Sequence, residues 1–388
     1  MDFSLAEERR LLQDTVRRFL ANEYKFDKRR TILSSADGYS REIWKQLAEL
    51  GLLGLTMRDE DGGMAGDAFD TSIVMEAFGR ALVVEPYVAT IVLGAGILSD
   101  AGSAAQREAW LGPVAAGEKL LAFAHAEPAA RYAPSFVETK AVREGNNWKI
   151  EGFKSVVLNA ANADAIIVSV RTAGTAGDRD GISLFLVDRN APGISLRSYQ
   201  TQDGGRASDM KLAGVVVTDD RRIGDAGAAI TTIERALDRA NAALCAEALG
   251  IIDALNEATL EYLKTRKQFG QPIGRFQALQ HRMADMTIKA VEARSMSVVA
   301  AAAMGEKDAH ERSRRVSAAK AFIGQAARFV GQQAIQLHGA IGVTDELIVS
   351  HWFKRLTMIN ATFGDADYHL GRFSDLMLSE TPEARSEG

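Results

Sequence analysis

The stretch from Thr265 to Ile273, TRKQFGQPI, separates two helical patterns along the chain. The first pattern ends in basic residues at Arg266, and Gly270 and Pro272 predict a turn. Apolar residues at helical spacing then predict an amphipathic helix that begins at Phe276. An arginine at a corner between two helices is usually only a solvated charge. A functional interpretation of Arg266 therefore needs a second motif.

Residues 336–342, QLHGAIG, supply that second motif in the C-terminal third of the chain. The pair resembles the acyl-CoA dehydrogenase family, whose members carry T/E-R-x-Q-F-G-x-P-I and then Q-x-x-G-G-x-G. The resemblance extends over residues 1 to 375 or so. It implies an α+β fold with an N-terminal helical domain, a central β-barrel or sandwich and a C-terminal four-helix bundle. In that family both motifs bind the FAD of the neighbouring subunit.

The composition is that of a globular protein without an obvious charged partner. The 388 residues are enough for two or three sub-domains, and 47% of them are hydrophobic. A formal charge of −5 gives no attraction to nucleic acid, and the apolar runs are too short or too glycine-rich to span a bilayer. The charged N-terminus does not resemble a signal peptide, and the lone Cys245 cannot form an internal disulfide. These features predict a cytoplasmic protein.

Three successive patterns predict three domains. Helical spacing dominates residues 1–119 and returns in residues 224–380, where Val316, Ile323 and Val330 sit seven residues apart. Residues 120–223 contain short β-like runs broken by Gly, Asn and Asp, at 120–124, 148–150, 155–158, 165–170, 182–187 and 215–217. A glycine-rich strand-to-helix turn of the GxGxxG type is missing from this sequence, which excludes a Rossmann domain.

The resemblance assigns the phosphate and adenosine end of FAD to residues of the two motifs. Arg266 would donate two parallel hydrogen bonds to phosphate oxygens. Phe269 would pack against the adenosine or flavin side. Gln336 and Gly339 match positions where the family's backbone approaches the cofactor, and Ala340 replaces the usual second glycine.

The flavin-ring end departs from the family pattern. The family has Tyr-x-x-Thr-Glu-Pro-x-x-Gly-Ser and later Trp-Ile-Thr-Asn, which correspond here to residues 123–132 and 156–159. The Gly-Ser pair is replaced by Arg131 and Tyr132, whose bulk would project into the cofactor or thioester space. The other positions that we assign to this altered ring site are Phe123, His125, Ala126, Val156 and Leu158. The chain's own flavin pocket is therefore predicted to be reshaped or empty.

The carboxylate that the family reaction requires is also missing from its usual positions. Removal of the weakly acidic α-proton of an acyl-CoA thioester needs a positioned base. The two positions that relatives use correspond to Phe363 and Ala240. Asp365 or Glu247 could serve as a relocated base, although Asp365 is placed to cap a helix.

Other polar residues near these positions are candidates for substrate contact. Leu237, Asp238 and Asn241 lie on one helix where relatives line the acyl-CoA pocket, and Tyr132 could contact the thioester. The alternating pattern of Asp365, Asp367 and His369 resembles metal ligands, but such residues converge only on a strand and this segment is predicted to be helical. We therefore predict no metal site.

Taken together, the retained and missing groups predict a base-lacking subunit. The chain keeps groups for a partner's FAD, so the expected partner is a homologous catalytic acyl-CoA dehydrogenase subunit in an α2β2 assembly. An electron-transferring flavoprotein is the acceptor that the resemblance implies. The alternatives are a homotetrameric dehydrogenase with a relocated base and a flavin-free scaffold. The acyl chain cannot be identified from the sequence.

Overall fold

The computed structural model describes residues 6–379. Residues 1–5 of the predicted N-terminal domain and residue 380 of the predicted C-terminal domain lie outside that range. Within it, helices come first, strands follow and helices return, which confirms the predicted α+β class. The first block contains α1 (Glu7–Glu23), α2 (Phe26–Ser34), α3 (Arg41–Glu49), α4 (Ala68–Ala81), a π-helix (Val88–Ala95), α5 (Gly96–Ala101) and α6 (Ala104–Ala115).

The second and third blocks make up the rest of the described chain. The strands are β1 (Leu121–Ala124), β2 (Lys140–Glu144), β3 (Asn147–Leu158), β4 (Ala165–Arg171), β5 (Ile182–Asp188), β6 (Ile194–Gln200), β7 (Arg206–Thr218) and β8 (Arg222–Ile223). The C-terminal elements are α7 (Ile230–Thr265), β9 (Lys267–Gln268), β10 (Gln271–Pro272), α8 (Gln277–Ala303), α9 (Ala309–His338), α10 (Ile348–Ala361) and α11 (Ala366–Leu378).

Backbone contacts divide the chain into two compact units. The helical unit comprises the described parts of Met1–Arg30, Ala68–Val83 and Asn241–Gly388, and the sheet unit comprises Thr31–Asp67 and Val84–Ala240. The predicted domain boundaries after residues 119 and 223 stay a prediction. No helix within residues 6–379 is long and apolar enough to cross a bilayer.

The sheet unit is organised around one eight-stranded sheet. Its order is β6-β7-β3-β2-β4-β5-β8, and β1 adds in parallel to β4. The residues of β4 are all buried, and so are those of β5 up to Val187, because these strands are apolar on both faces. The predicted runs 148–150 and 155–158 are not separate strands: both belong to β3, whose register with β7 shifts at two irregular points.

The helical unit is held together by a close crossing of α4 and α7. A Cβ atom added at Gly79 would lie 2.0 Å from the carbonyl oxygen of Glu247, and one added at Gly250 would lie 1.9 Å from that of Glu76. Only glycine permits this approach of two helix backbones. The predicted packing stripe on α9 is confirmed, since Val316, Ile323, Val330 and Leu337 are all buried.

Candidate functional site

The TRKQFGQPI segment forms a β-hairpin between α7 and α8. Strands β9 and β10 pair in antiparallel fashion, and Phe269 and Gly270 between them have φ of 53° and 80°. Two successive positive φ angles define a type I′ turn, which matches the twist of a two-residue hairpin. The predicted turn at Pro272 is wrong: Pro272 pairs within β10, and the turn centre lies at Phe269 and Gly270.

The hairpin exposes to solvent the two side chains that are predicted to contact FAD, Arg266 and Phe269. Phe269 is 91% exposed and touches Phe276 edge-on, with ring centroids 6.1 Å apart. The backbone of Arg266 is fixed, because its N–H donates to the Tyr262 carbonyl at 2.8 Å and its carbonyl accepts from the Ile273 N–H at 2.8 Å. Its exposed guanidinium makes no hydrogen bond or ion pair with the described residues. Arg266 can therefore donate both of its parallel N–H groups to a phosphate.

The second motif lies next to the hairpin in the helical unit. The ring of Tyr262, one turn before the end of α7, stacks on that of His338 at the end of α9, with centroids 4.5 Å apart. Gln336, Gly339 and Ala340 are exposed. Gly339 has φ of 65°, and no heavy atom lies within 4 Å of where its Cβ would be. The Tyr262–His338 contact thus brings the two motifs to one end of the helical unit, and the Cβ position of Gly339 faces open space there.

The predicted ring site lies in the sheet unit and begins at the end of β1. Phe123 is buried and His125 is half-buried, and their rings stack with centroids 5.5 Å apart. The His125 Nδ1 lies 2.9 Å from the Ser169 hydroxyl. Burial, aided by the nearby Lys154 charge, lowers the pKa of His125 to about 3. The imidazole is therefore neutral, and Ala126 beside it is exposed and offers no hydroxyl.

A buried ion pair that the sequence interpretation missed fixes this segment. Lys154 donates to Glu127 at 2.6 Å, to the Ser169 hydroxyl at 3.0 Å and to the His125 carbonyl at 3.3 Å. Glu127 also accepts the backbone N–H groups of residues 138–139. Burial lowers the pKa of Lys154 to about 8, opposed by the Glu127 charge. Because Ser169 accepts from Lys154, its own O–H can donate to the Nδ1 of His125.

The positions where the family places Trp and Thr lack donors here. Val156 is 50% exposed and has φ of 52°, an unusual conformation for a β-branched residue. Its N–H donates to the Asp209 carboxylate at 3.3 Å. Leu158 is half-buried. The side chains of Ala126, Val156 and Leu158 therefore provide no hydrogen-bond donor for the edge of a flavin ring, and the ring end fits FAD less well than the phosphate end does.

Arg131 and Tyr132 follow the short helical turn Pro128–Ala130. Arg131 is exposed and has φ of 50° and ψ of −104°, and Tyr132 is half-buried. The prediction that they fill cofactor or thioester space stays a prediction.

Neither of the usual base positions holds a carboxylate, and the relocated candidates are engaged. Ala240 is buried within α7, and Phe363 is half-buried at the turn before α11. Asp365 caps α11 by accepting the Tyr368 N–H at 2.8 Å. Glu247 is 3% exposed, and Arg355 donates to its two oxygens at 2.6 and 2.7 Å. Both relocated candidates are therefore engaged in structural contacts.

Three of the four proposed substrate residues share one helix but differ in exposure, whereas Tyr132 lies in the sheet unit. Along α7, Leu237 is half-buried, whereas Asp238 and Asn241 are buried. The Asn241 amide donates to the Phe363 carbonyl at 3.5 Å, and its own oxygen has no partner among the described residues. An unpartnered buried acceptor is uncommon in a native protein. Asn241 is therefore the substrate candidate with hydrogen-bonding capacity to spare.

Three family models match the chain in succession. They are described as the N-terminal, middle and C-terminal domains of acyl-CoA dehydrogenase, and they match residues 6–118, 122–219 and 227–377. Together they cover almost all of the part of the chain that the structure describes.

Individual relatives agree with the family models. The probable acyl-CoA dehydrogenase YngJ of Bacillus subtilis is 30% identical over 95% of this chain and 97% of its own length. CarC, a subunit of the caffeyl-CoA reductase–Etf complex of Acetobacterium woodii, is 28% identical over 97% of this chain and 99% of its own. A solved variant of the steroid ACAD Tcur3481-Tcur3483 is 28% identical, covers 99% of this chain and 100% of its own, and has a TM-score of 0.88. The chain therefore belongs to the acyl-CoA dehydrogenase family, whose members are flavin oxidoreductases.

Proposed function

We propose that this chain is the base-lacking subunit of an FAD-dependent acyl-CoA dehydrogenase, which desaturates an acyl-CoA thioester at its α and β carbons. The observation that carries the proposal is a contrast between the phosphate end of the cofactor site and the two positions of the base. Arg266, Phe269 and Gln336 are exposed and available, whereas the base positions hold Phe363 and Ala240.

These three exposed residues would contact a cofactor that approaches the helical unit from outside. Arg266 would bind phosphate oxygens through its guanidinium, and Phe269 would cover part of the adenosine or flavin. Gly339 leaves room for close approach of the cofactor to the backbone, although Ala340 adds a methyl group there. A flavin-free scaffold has no need of these residues, which is the argument against that alternative.

The chemistry divides between cofactor and protein. A bound FAD would supply the hydride acceptor for the β-hydrogen, and the protein would supply binding, orientation and a base for the α-proton. This chain contributes phosphate binding and lacks the base. Because Asp365 caps a helix and Glu247 is paired with Arg355, a homotetramer with either carboxylate as its base is the weaker alternative.

A homologous catalytic subunit would complete the site. The name of the steroid ACAD Tcur3481-Tcur3483 joins two protein designations, and CarC is named as a subunit of a complex with Etf. By analogy, we propose a four-chain α2β2 assembly that acts in fatty acid or steroid side-chain β-oxidation in the cytoplasm. An electron-transferring flavoprotein would be its acceptor.

The test is FAD content and turnover of the purified chain, alone and co-expressed with the product of any adjacent homologous gene. We expect weak or no turnover of a panel of acyl-CoAs with a dye acceptor by the chain alone. In the complex we expect turnover with one FAD per pair. Rapid turnover by the single chain would contradict the proposal and make Asp365 the first candidate for the base.

A structure of the complex would provide a second test. We expect FAD in the sheet domain of the partner, with Arg266 and Gln336 at its phosphates. Well-ordered FAD beside Val156 and Leu158 in every subunit would instead make this chain a complete dehydrogenase with an altered ring environment.

A further inference from the structure

Lys320, on α9, is 1% exposed and is surrounded by backbone carbonyls of a single turn. Its Nζ donates to the carbonyl oxygens of Asn360 at 3.2 Å, Thr362 at 3.0 Å and Gly364 at 2.7 Å. An ammonium group has three N–H donors, so this turn satisfies all of them.

The charge of Lys320 is not balanced by a carboxylate in contact with it among the described residues. The titratable groups that face it are the Cys245 thiol on α7, the Asp365 carboxylate, which caps α11, and His369 on α11. Burial of an ammonium without a counter-ion is costly unless hydrogen bonds compensate for the lost water. The three carbonyl dipoles provide that compensation. Burial of the Lys320 charge therefore depends on the conformation of the turn that carries these carbonyls.

The same turn holds Phe363 in a left-handed conformation, which is unfavourable for a residue with a side chain, and is followed by a glycine that adopts positive φ readily. Phe363 has φ of 57° and Gly364 has φ of 114°. The Phe363 carbonyl accepts from the His369 Nε2 at 3.1 Å and more weakly from the Asn241 amide. Since a carbonyl only accepts, His369 carries its proton on Nε2, and its Nδ1 can accept from the Ser317 hydroxyl at 3.3 Å.

Four carbonyls of residues 360–364 are thus bound by donors from the interior of the helical unit. None of these bonds involves the side chain of residue 363. A left-handed conformation at a phenylalanine is unfavourable and persists only where the surrounding structure imposes it.

We propose that Lys320 is a positioning residue that holds the 360–365 turn in one conformation regardless of the side chain at position 363. The turn is the place where the family's base would stand, and in this respect alone the inference rests on the proposed function. It follows that the turn is supported from the interior of the helical unit even though position 363 carries no carboxylate.

The experiment combines hydrogen–deuterium exchange with a site-specific fluorine probe on the full chain. Lys320→Met removes the charge and all three donors at similar size, and Lys320→Gln keeps two donors without the charge. Lys154→Met is a matched control, because Lys154 is equally buried, also donates to three acceptors and lies in the sheet unit. 4-Fluorophenylalanine at position 363 reports on the turn by a single ¹⁹F resonance.

We expect Lys320→Met to speed amide exchange in residues 360–369 by about tenfold or more, since hydrogen bonds to a charged group are the stronger kind. The ¹⁹F resonance should shift or broaden, and Lys320→Gln should give a smaller change. Lys154→Met should leave both readouts of the turn unaltered. Phe363→Glu in the presence of Lys320 should keep the protection of the turn.

Two results would overturn the inference: an unchanged turn in both Lys320 variants, or faster exchange spread evenly over the helical unit. If Lys320→Met does not fold, the amide exchange and the ¹⁹F resonance of Lys320→Gln test the inference instead. Neither readout depends on flavin. Absence of FAD from the co-expressed complex would therefore count against the proposed function without touching the inference about Lys320.

Discussion

Arg355 on α10 holds both carboxylate oxygens of Glu247 on α7, at 2.6 and 2.7 Å. Variants of this pair test whether Glu247 is a structural or a catalytic carboxylate. Arg355→Met would leave a buried charge without a partner, which costs about 2–4 kcal/mol of stability. We expect a clear drop of the thermal midpoint, and we expect Glu247→Gln to leave turnover of the co-expressed complex within about twofold of wild type, since a structural pair makes no transition-state contact. Loss of turnover in Glu247→Gln with an unchanged midpoint would identify Glu247 as the base.

Arg266 is predicted to bind FAD across the subunit interface. Arg266→Ala should weaken FAD binding to the assembled complex by about 1.5–3 kcal/mol, the value of a charge-assisted hydrogen-bonded contact. Arg266→Lys should rescue only part of the loss, because an ammonium cannot form the bidentate contact. Fluorescence titration of FAD measures both. The neighbouring exposed Lys267→Ala serves as the control, and equal flavin content in all variants would show that the cofactor assignment is wrong.

The close crossing of α4 and α7 predicts that alanine substitution has opposite effects on stability at two helical glycines. Gly79→Ala would place a methyl group 2.0 Å from the Glu247 carbonyl and should destabilise the chain by about 1–3 kcal/mol. Gly371, on α11, has no heavy atom near the position of a Cβ. Gly371→Ala should stabilise by about 0.5–1 kcal/mol through helix propensity. Thermal denaturation of the two variants compares them directly, and a similar effect of both would mean that the helices do not approach so closely.

Two histidines, the half-buried His125 and the buried His369, predict a loss of stability in mild acid. Burial, aided by a nearby lysine in each case, lowers the pKa of His125 and His369 to about 3, from an ordinary value of 6.5. Between these pH values the unfolded chain binds more protons than the folded chain, so stability is complete above pH 6.5 and falls as the pH is lowered. At pH 5 each of the two imidazoles lowers the free energy of unfolding by about 2 kcal/mol relative to its value above pH 6.5.

The histidine prediction can be checked by thermal midpoints at pH 7.5 and pH 5 or so. His369→Gln keeps a donor for the Phe363 carbonyl and should flatten the acid dependence. The exposed His281→Gln is the control and should leave it as in wild type. An acid dependence that survives in a His125→Gln, His369→Gln double variant would assign it to carboxylates instead.

The sequence predicted the fold best where burial leaves a strong pattern. Strands β4 and β5 are continuous apolar runs and were predicted almost to the residue. Strands β2 and β6 were missed, because KAVRE and ISLRSYQ are polar and half-exposed, and their partners rather than their own pattern make them strands. β3 was divided in two because the residues around its irregular pairing break the alternation.

The candidate site was predicted through motifs, and its supporting residues were not. Arg266 and Gln336 could be singled out because they belong to recognisable segments. Lys154 and Lys320 could not, since a lysine within a strand or helix pattern is ordinarily a surface residue. What makes each of them exceptional is a set of acceptors distant in sequence, and such a set exists only once the chain has folded.

The type I′ turn at Phe269 and Gly270 has a practical consequence for anyone who handles the isolated chain. The turn places Phe269 at the tip of the hairpin, where its ring touches the edge of Phe276 and is otherwise 91% exposed. Without the partner subunit that we propose, the chain therefore presents this ring to solvent, and its apolar surface can contribute to self-association in concentrated solution. Yield and colloidal behaviour of the recombinant protein should depend on whether another polypeptide is present during expression to cover that ring.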